Sequence, residues 1–518
     1  MSLNQHIKGS LDLGNPLMSY TCIVDKPDSA VEYYEAYKNI GRKYTRIAYG
    51  TDASTVIQAA IDSLASGDIY IKKGTYIITT VITVYGKPIN FFLEGGAILK
   101  REDTSYLSAL INVGFVGAKV GIYGGEFDCN KGAGAYVGTV NLDAITAFSN
   151  AEELILRDVY IHDTITHGVE ATIDNITVDN CIFRNIGSSQ GNNMGHGIYF
   201  GGSENVRIVN NYFETIWTAG IMLKSVKKAY VGGNTAKNTS QNGANVYAFI
   251  GICLNGGSIP EQIDIEGNVG ESNYDNYISI GAGKHICVKG GLWNAGGGYG
   301  ITVSPVTPDD VIDLLIEGVN LYNGVASGIS INDKCSDVQL LGNNVHDFSS
   351  YGIHVASNNT QIINNRAWNN GGLDVLRVGI WLNAVTGCIV TGNFCNDFHD
   401  PTKYQRYGIY ENGACDYNII KNNDVRYNRF AGMLLVGAND IVESNLGWTT
   451  ENSGTATISA STSVVFAHGL VGTPTHVAVG FKTTGYGSWI WSADATNITI
   501  TVAVSGTYDL TWDAEYTL

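Results

Sequence analysis

The chain has 518 residues and a net charge of −17, which argues against nucleic acid and anionic membranes as partners. With 63 glycines, 8 prolines and 15% charged residues, the composition fits a turn-rich β protein and not a disordered one. No apolar run approaches membrane-spanning length, and the nine scattered cysteines form no CxxC or zinc spacing, so they read as small buried hydrophobes without a disulfide framework.

Residues 1–48 form an entry segment. Its first 19 residues lack the long apolar run of an ordinary secretion signal, and 20–24 and 31–36 predict a hairpin. After Asp52, apolar residues at Val56, Ile57, Ala60, Ile61 and Leu64 predict a helix that plugs an open sheet end. Residues 67–78 then read as strand, turn, strand.

A repeat follows. A glycine opens an apolar strand at Gly168, Gly197, Gly220, Gly251, Gly300, Gly328, Gly352, Gly379, Gly408 and Gly432, with Tyr277 in one slot. From 168 to 432 is 264 residues in ten steps, a mean period of 26.4. That is too short for a propeller blade and suits a solenoid coil of three short strands. The predicted fold is all-β: a right-handed parallel β-helix of about a dozen coils over 49–448, with an N-terminal helical cap. Asn180, Asn211, Asn234, Asn268, Asn344, Asn365, Asn393 and Asn423 follow the second strand. They predict a structural ladder at a left-handed turn. Residues 449–518 lose the period and read as a small β-sandwich that caps the rod, mediates a homotrimer, or binds sugar through Tyr486, Trp489 or Trp491.

Stacked coils put equivalent residues in columns. With the landmark glycine pointing out and its neighbour in, the outward column runs Thr146, Glu170, Tyr199, Met222, Cys253, Ser279, Thr302, Ser330, His354, Trp381, Tyr410, Leu434. The preceding column begins Asp143, His167, His196, and Lys224 lies in a third. Asp143, His167, Glu170, His196, Tyr199 and Lys224 therefore gather acid, base and cation on one wall, as glycosidic chemistry requires, and are the candidate catalytic group. The plainer alternative is a solvated decorated face. A second group, His354, Trp381 and Tyr410 with His399, Asp400 and Arg406 beside them, is the candidate substrate-binding face, or else a structural aromatic stack. No metal ligand set or cofactor is evident. Calcium is the one possible ion, and Asp309, Asp310 and Asp313 beside Pro308 form either a cation cluster or a turn.

Asp52, then Ile57-Gln58-Ala59-Ala60-Ile61, then Gly74-Thr75-Tyr76, resemble the opening of the pectate-lyase-like β-helix superfamily, which includes polygalacturonases and viral tailspike depolymerases; the resemblance covers 50–447. Against the polygalacturonase pattern, Asn141-Leu142-Asp143-Ala144, Gly195-His196-Gly197 and Met222-Leu223-Lys224 are similar to three of its motifs. Thr166-His167 stands where that family carries an Asp pair for inverting hydrolysis. The resemblance implies a polysaccharide-active protein, extracellular or virion-associated. Three chemistries stay open: β-elimination of a uronate, with His167 or His196 as base, Tyr199 as acid and Lys224 on the carboxylate; hydrolysis by Asp143 and Glu170; or C5 epimerisation. A non-catalytic adhesin or tail fibre is the alternative from another class.

Overall fold

Alternating runs such as Val206, Ile208 and Ala229, Val231 send every second side chain to the same face. The chain stacks those faces strand over strand. The structure, a computed structural model, describes residues 20–27, 33–40, 43–103, 107–132, 142–148, 150–188, 195–241, 248–254, 258–294, 296–305, 311–371, 377–398 and 404–517. It comprises two compact units, 1–315 and 316–518.

In residues 1–315 the hairpin forms, with Cys22–Asp25 antiparallel to Tyr34–Ile40 and a third strand, Lys43–Gly50, beyond it. Cys22–Asp25 also pairs in parallel with Gly67–Ile71, which stitches the hairpin to the first coil. The helix Ala53–Asp62 begins where Asp52 accepts the backbone N–H groups of Ser54 and Thr55, each at 3.2 Å. These are donors that a helix start otherwise leaves open. Asp52 also accepts the Thr79 hydroxyl at 2.7 Å, tying the helix to the coil beside it.

Three parallel ladders build the coils. In one, Ile176, Val206, Ala229, Ile263 and Ile286 lie in register and are all buried. Each fully buried Ile or Val contributes about 1.5–3 kcal/mol. In another, Phe183 and Phe213 stack at 4.9 Å. The third runs through Ile145–Ala147, Val169–Ala171, Ile198–Gly201, Ile221–Lys224 and Ala248–Cys253, and carries the candidate site.

The landmark glycine does not point outward as expected. A Cβ on Gly197 would lie 2.7 Å from the Gly220 carbonyl oxygen and 2.8 Å from the Phe213 ring, so the slot faces packed neighbours. Register also corrects one coil. Gly251 pairs with Met222 and Cys253 with Lys224, so Gly251 takes the outward position assigned to Cys253, and Phe249 takes the landmark slot. Tyr277 fills the slot of the next coil, where the facing strand gives way to Gly270; a Cβ there would meet the Tyr277 ring at 2.1 Å.

The asparagine ladder is real but offset at two positions. In 1–315, the Nδ2 of Asn211 donates to Asn234 Oδ1 and that of Asn234 to Asn268 Oδ1, both at 2.9 Å. Cys181, not Asn180, continues this row, its N–H donating to Asn211 Oδ1. In 316–518 the row is Asn343, Asn365, Asn393, Asn423 and Asn445, so Asn344 is displaced by its neighbour. The left-handed residue is the one before each ladder amide, such as Asn210, Gly233, Asn364 or Asn422.

Residues 316–518 stack Ile329–Ile331, Tyr351–Val355, Val378–Asn383, Tyr407–Asn412 and Ala431–Leu434 in the same way. After the last coil, Glu451–Ala467 and Asn497–Glu515 pair antiparallel, with His476–Phe481 and Trp489–Ala493 on opposite halves of the second strand. The hydrogen bonds make one four-stranded sheet and not two. Its long strands bend at register shifts near Ser461, and both halves of the second strand, Ile498 to Val502 and Tyr508 to Ala514, enter one core. A single sheet around one core thus stands where the strand pattern predicted a β-sandwich. All nine cysteines are free, and burial pushes Cys129 and Cys181 up to about 12, as expected of inert buried thiols.

Candidate functional site

The site begins as a hydrogen-bond ladder. Where three coils enter the third sheet, each backbone N–H donates to the side chain one coil earlier. His167 N–H donates to Asp143 Oδ1 at 2.8 Å, His196 N–H to His167 Nδ1 at 3.2 Å, and Ala219 N–H to His196 Nδ1 at 3.1 Å. Two hydroxyls reinforce it: Thr166 Oγ1 donates to Asp143 Oδ1 at 2.5 Å, and Thr218 Oγ1 lies 2.8 Å from His196 Nδ1. Asp143 (0% exposed), His167 (1%) and His196 (5%) are therefore buried support.

The ladder fixes both imidazole tautomers. A nitrogen that accepts a backbone N–H carries no proton, so each neutral ring holds its proton on Nε2. Burial pulls His167 down to about 3 and His196 well below its ordinary value, and the Lys224 charge adds to both, so both rings are neutral at physiological pH. A neutral ring whose remaining nitrogen bears a proton is a donor. In both rings Nδ1, the nitrogen that could accept a further proton, is already engaged by the backbone.

Above the imidazoles lies Tyr199, its ring stacked 5.0 Å from His167 and 5.5 Å from His196. Lys224 Nζ sits 5.1 Å over the Tyr199 ring. Glu170 is in register with Tyr199, and Glu170, Tyr199 and Lys224 are all partly exposed. One ligand atom each of Asp143, His167 and Glu170 lies within 4.8 Å of the others. Burial, then the Glu170 charge, pushes Asp143 well above the usual carboxylate range. With two donors already on Oδ1, the Asp143 proton belongs on Oδ2, which is sealed from solvent. Asp143 is thus the buried member of the pair and Glu170 the partly exposed one.

These residues do not fit calcium, which takes six to eight oxygens. Two carboxyls and an imidazole fall short, and a metal on His167 Nε2 would force a proton onto the nitrogen that already receives an N–H. A second cluster, Asp128, His162 and Asp163, is no better. His162 Nδ1 reaches Asp163 at 2.7 Å and Nε2 reaches Glu126 at 3.1 Å. Burial alone would lower its pKa, but the two carboxylates outweigh it and raise it, so both nitrogens serve as donors. Asp313 pairs with His285 at 2.7 Å, while Asp309 and Asp310 lie outside the described residues.

All six sequence-predicted catalytic residues therefore meet in one place, in two layers. Thr166, Thr218 and Arg101 were missed. Buried Arg101 donates from Nη2 to the Asp143 carbonyl at 2.9 Å. A threonine two positions before the landmark glycine in alternate coils was the available signal.

The second group lies in residues 316–518. His354, Trp381 and Tyr410 are in register as expected, with His354 and Trp381 centroids 4.5 Å apart. The Arg406 guanidinium packs 5.0 Å from the Phe430 ring, and Asn141, His399 and Asp400 lie outside the described residues.

No family model and no curated protein sequence matches the chain. Among solved structures, a mutant tailspike protein of E. coli bacteriophage HK620 in complex with a pentasaccharide is similar over 90% of each chain, at 13% identity and a TM-score of 0.58. The A-module of a mannuronan C-5 epimerase of Azotobacter vinelandii matches at 14% identity over 76% of this chain and 95% of its own, with a TM-score of 0.40. A surface adhesin of Streptococcus pneumoniae matches at 14% identity over 75% of this chain and 89% of its own, with a TM-score of 0.44. The tailspike likeness agrees with the parallel ladders: this chain has the parallel β-helix fold.

Proposed function

We propose that the protein is a polysaccharide-active enzyme that cleaves a uronate-containing glycan by β-elimination. The observation that carries this reading is the placement of partly exposed Glu170 against buried Asp143, beside Tyr199 and Lys224. Glu170 takes the C-5 proton of the uronate. The C-4 to oxygen bond breaks as a C-4 to C-5 double bond forms, and the Tyr199 hydroxyl protonates the leaving oxygen. Lys224 neutralises the uronate carboxylate, whose charge grows as the C-5 proton leaves. His167 and His196 shape the floor and hold Tyr199 in place. The tailspike neighbour, described in complex with a pentasaccharide, supports a glycan as the ligand class. A secreted or virion-borne location is the matching expectation.

Hydrolysis is less well supported. It needs two carboxyl groups flanking the bond, about 5–5.5 Å apart for retention or about 6.5–9.5 Å for inversion. Here one of the two is sealed from solvent. The test is a panel of alginate, polygalacturonate and neutral glycans, assayed in parallel for reducing ends and for the ultraviolet absorbance of the new double bond. Reducing ends with absorbance support elimination. Reducing ends alone would return the assignment to hydrolysis, and binding without either product would make the protein an adhesin.

A further inference from the structure

The aromatic column of residues 316–518 has no part in that chemistry. Ser330, His354, Trp381, Tyr410 and Leu434 follow one another on the outer side of successive strands. Tyr351 adds a ring 4.4 Å from Trp381, and Tyr407 one 5.6 Å from Tyr410. The surface continues through Phe430, 58% exposed, and Leu434, 40% exposed. A stack that merely covers a sheet leaves its polar atoms bonded or in water. Here His354 Nε2 and Trp381 Nε1 are buried without a protein partner, although their rings are partly exposed. His354 Nδ1 lies 3.1 Å from the Ser330 hydroxyl, and burial lowers this imidazole to about 4, so it adds no charge.

Amides border the rings. The Tyr410 hydroxyl donates to Asn412 Oδ1 at 3.4 Å, and Asn412 Nδ2 to Asn383 Oδ1 at 3.3 Å. Both bonds are long and readily exchanged for a ligand hydroxyl. Arg406 and Arg429 are engaged with the Phe430 ring at the margin, at 5.0 and 5.4 Å. The column itself carries no ionised group, unlike Glu170 and Lys224. Aromatic faces and side-chain amides without charge match the C–H faces and hydroxyls of uncharged sugars.

We propose that this column is a second, non-catalytic glycan-binding face, whose ligand is a neutral pyranose segment of a polysaccharide. The proposal rests on the reading of the protein as polysaccharide-active, but not on elimination as its chemistry. The test is calorimetric titration of the full chain with mannan, dextran and unsubstituted β-1,4-xylo-oligosaccharides. These contain no uronate to eliminate, so the result is independent of the lyase assay. Binding of at least one probe is expected, weakened about tenfold or more in W381A and kept within about threefold in W381F. Y410A, one coil on, reads the same face if W381A fails to fold. No binding of any of the three probes, or unchanged binding in folded W381A and Y410A, would make the column a structural stack and overturn the proposal.

Discussion

In two carboxyl pairs among the described residues, burial and the neighbouring carboxyl strengthen one member's hold on its proton. Asp143 with Glu170 is the first. Glu411 with Asp440 is the second: Glu411 is buried and accepts the N–H groups of Val436 and Gly437 at 3.0 and 3.1 Å, while Asn418 N–H donates to Asp440 at 2.8 Å. Burial, and then Glu411, raises Asp440 to about 7, against about 3.9 in an unfolded chain. Between those values the folded state binds the extra proton, so this contribution is full at low pH and is lost as pH rises through about 7. His167, lowered to about 3, works the other way: its contribution is full above about 6.5 and falls as pH drops. D440N isolates the first effect. Its melting temperature should exceed that of wild type at about pH 8, and the gap should close by about pH 5. An equal gap at both would contradict the raised Asp440. None of this was legible in the sequence. The six catalytic candidates could be aligned into columns, but a tautomer depends on which backbone N–H meets Nδ1, and that is set by three-dimensional register.

At the scale of the element, the stack holds through ladders of buried asparagine amides. Asn234 accepts from Asn211 and donates to Asn268 and to the Ile208 carbonyl, fully buried. N234A strands these partners, and a loss of about 2–4 kcal/mol is expected in chemical denaturation. N180A, on the exposed side of the same turn, should cost under about 1 kcal/mol; equal costs would contradict the assignment of the ladder. G197A should cost about 1–3 kcal/mol, because its Cβ has no room beside the Gly220 carbonyl and the Phe213 ring. The period, the strands and the cap helix were legible because period-2 patterning and turn residues are local. The errors came where a different residue fills a shared slot. Phe249 occupies the landmark position, so counting from Gly251 shifted that coil by two, and Asn344 was chosen over Asn343 because adjacent asparagines look alike until burial separates them.

At the scale of the molecule, a net charge of −17 repels an acidic glycan unless a local cation answers it, and Lys224 is that cation at the candidate site. Salt should therefore strengthen binding of a polyuronate at low ionic strength, and K224A should remove catalysis more than binding, lowering kcat about 100–1,000-fold. Of the three roles open to the C-terminal domain, assembly into a homotrimer is tested by light scattering: a mass three times that of the chain would support it and a single-chain mass would contradict it. The most direct test of the central claim is the ultraviolet absorbance of the new double bond, followed for wild type and E170Q on the uronate-containing glycans of the panel. The account predicts absorbance that grows with the reducing ends in wild type and falls about 100–10,000-fold in E170Q. Undiminished absorbance in folded E170Q, or reducing ends without absorbance in wild type, would contradict it.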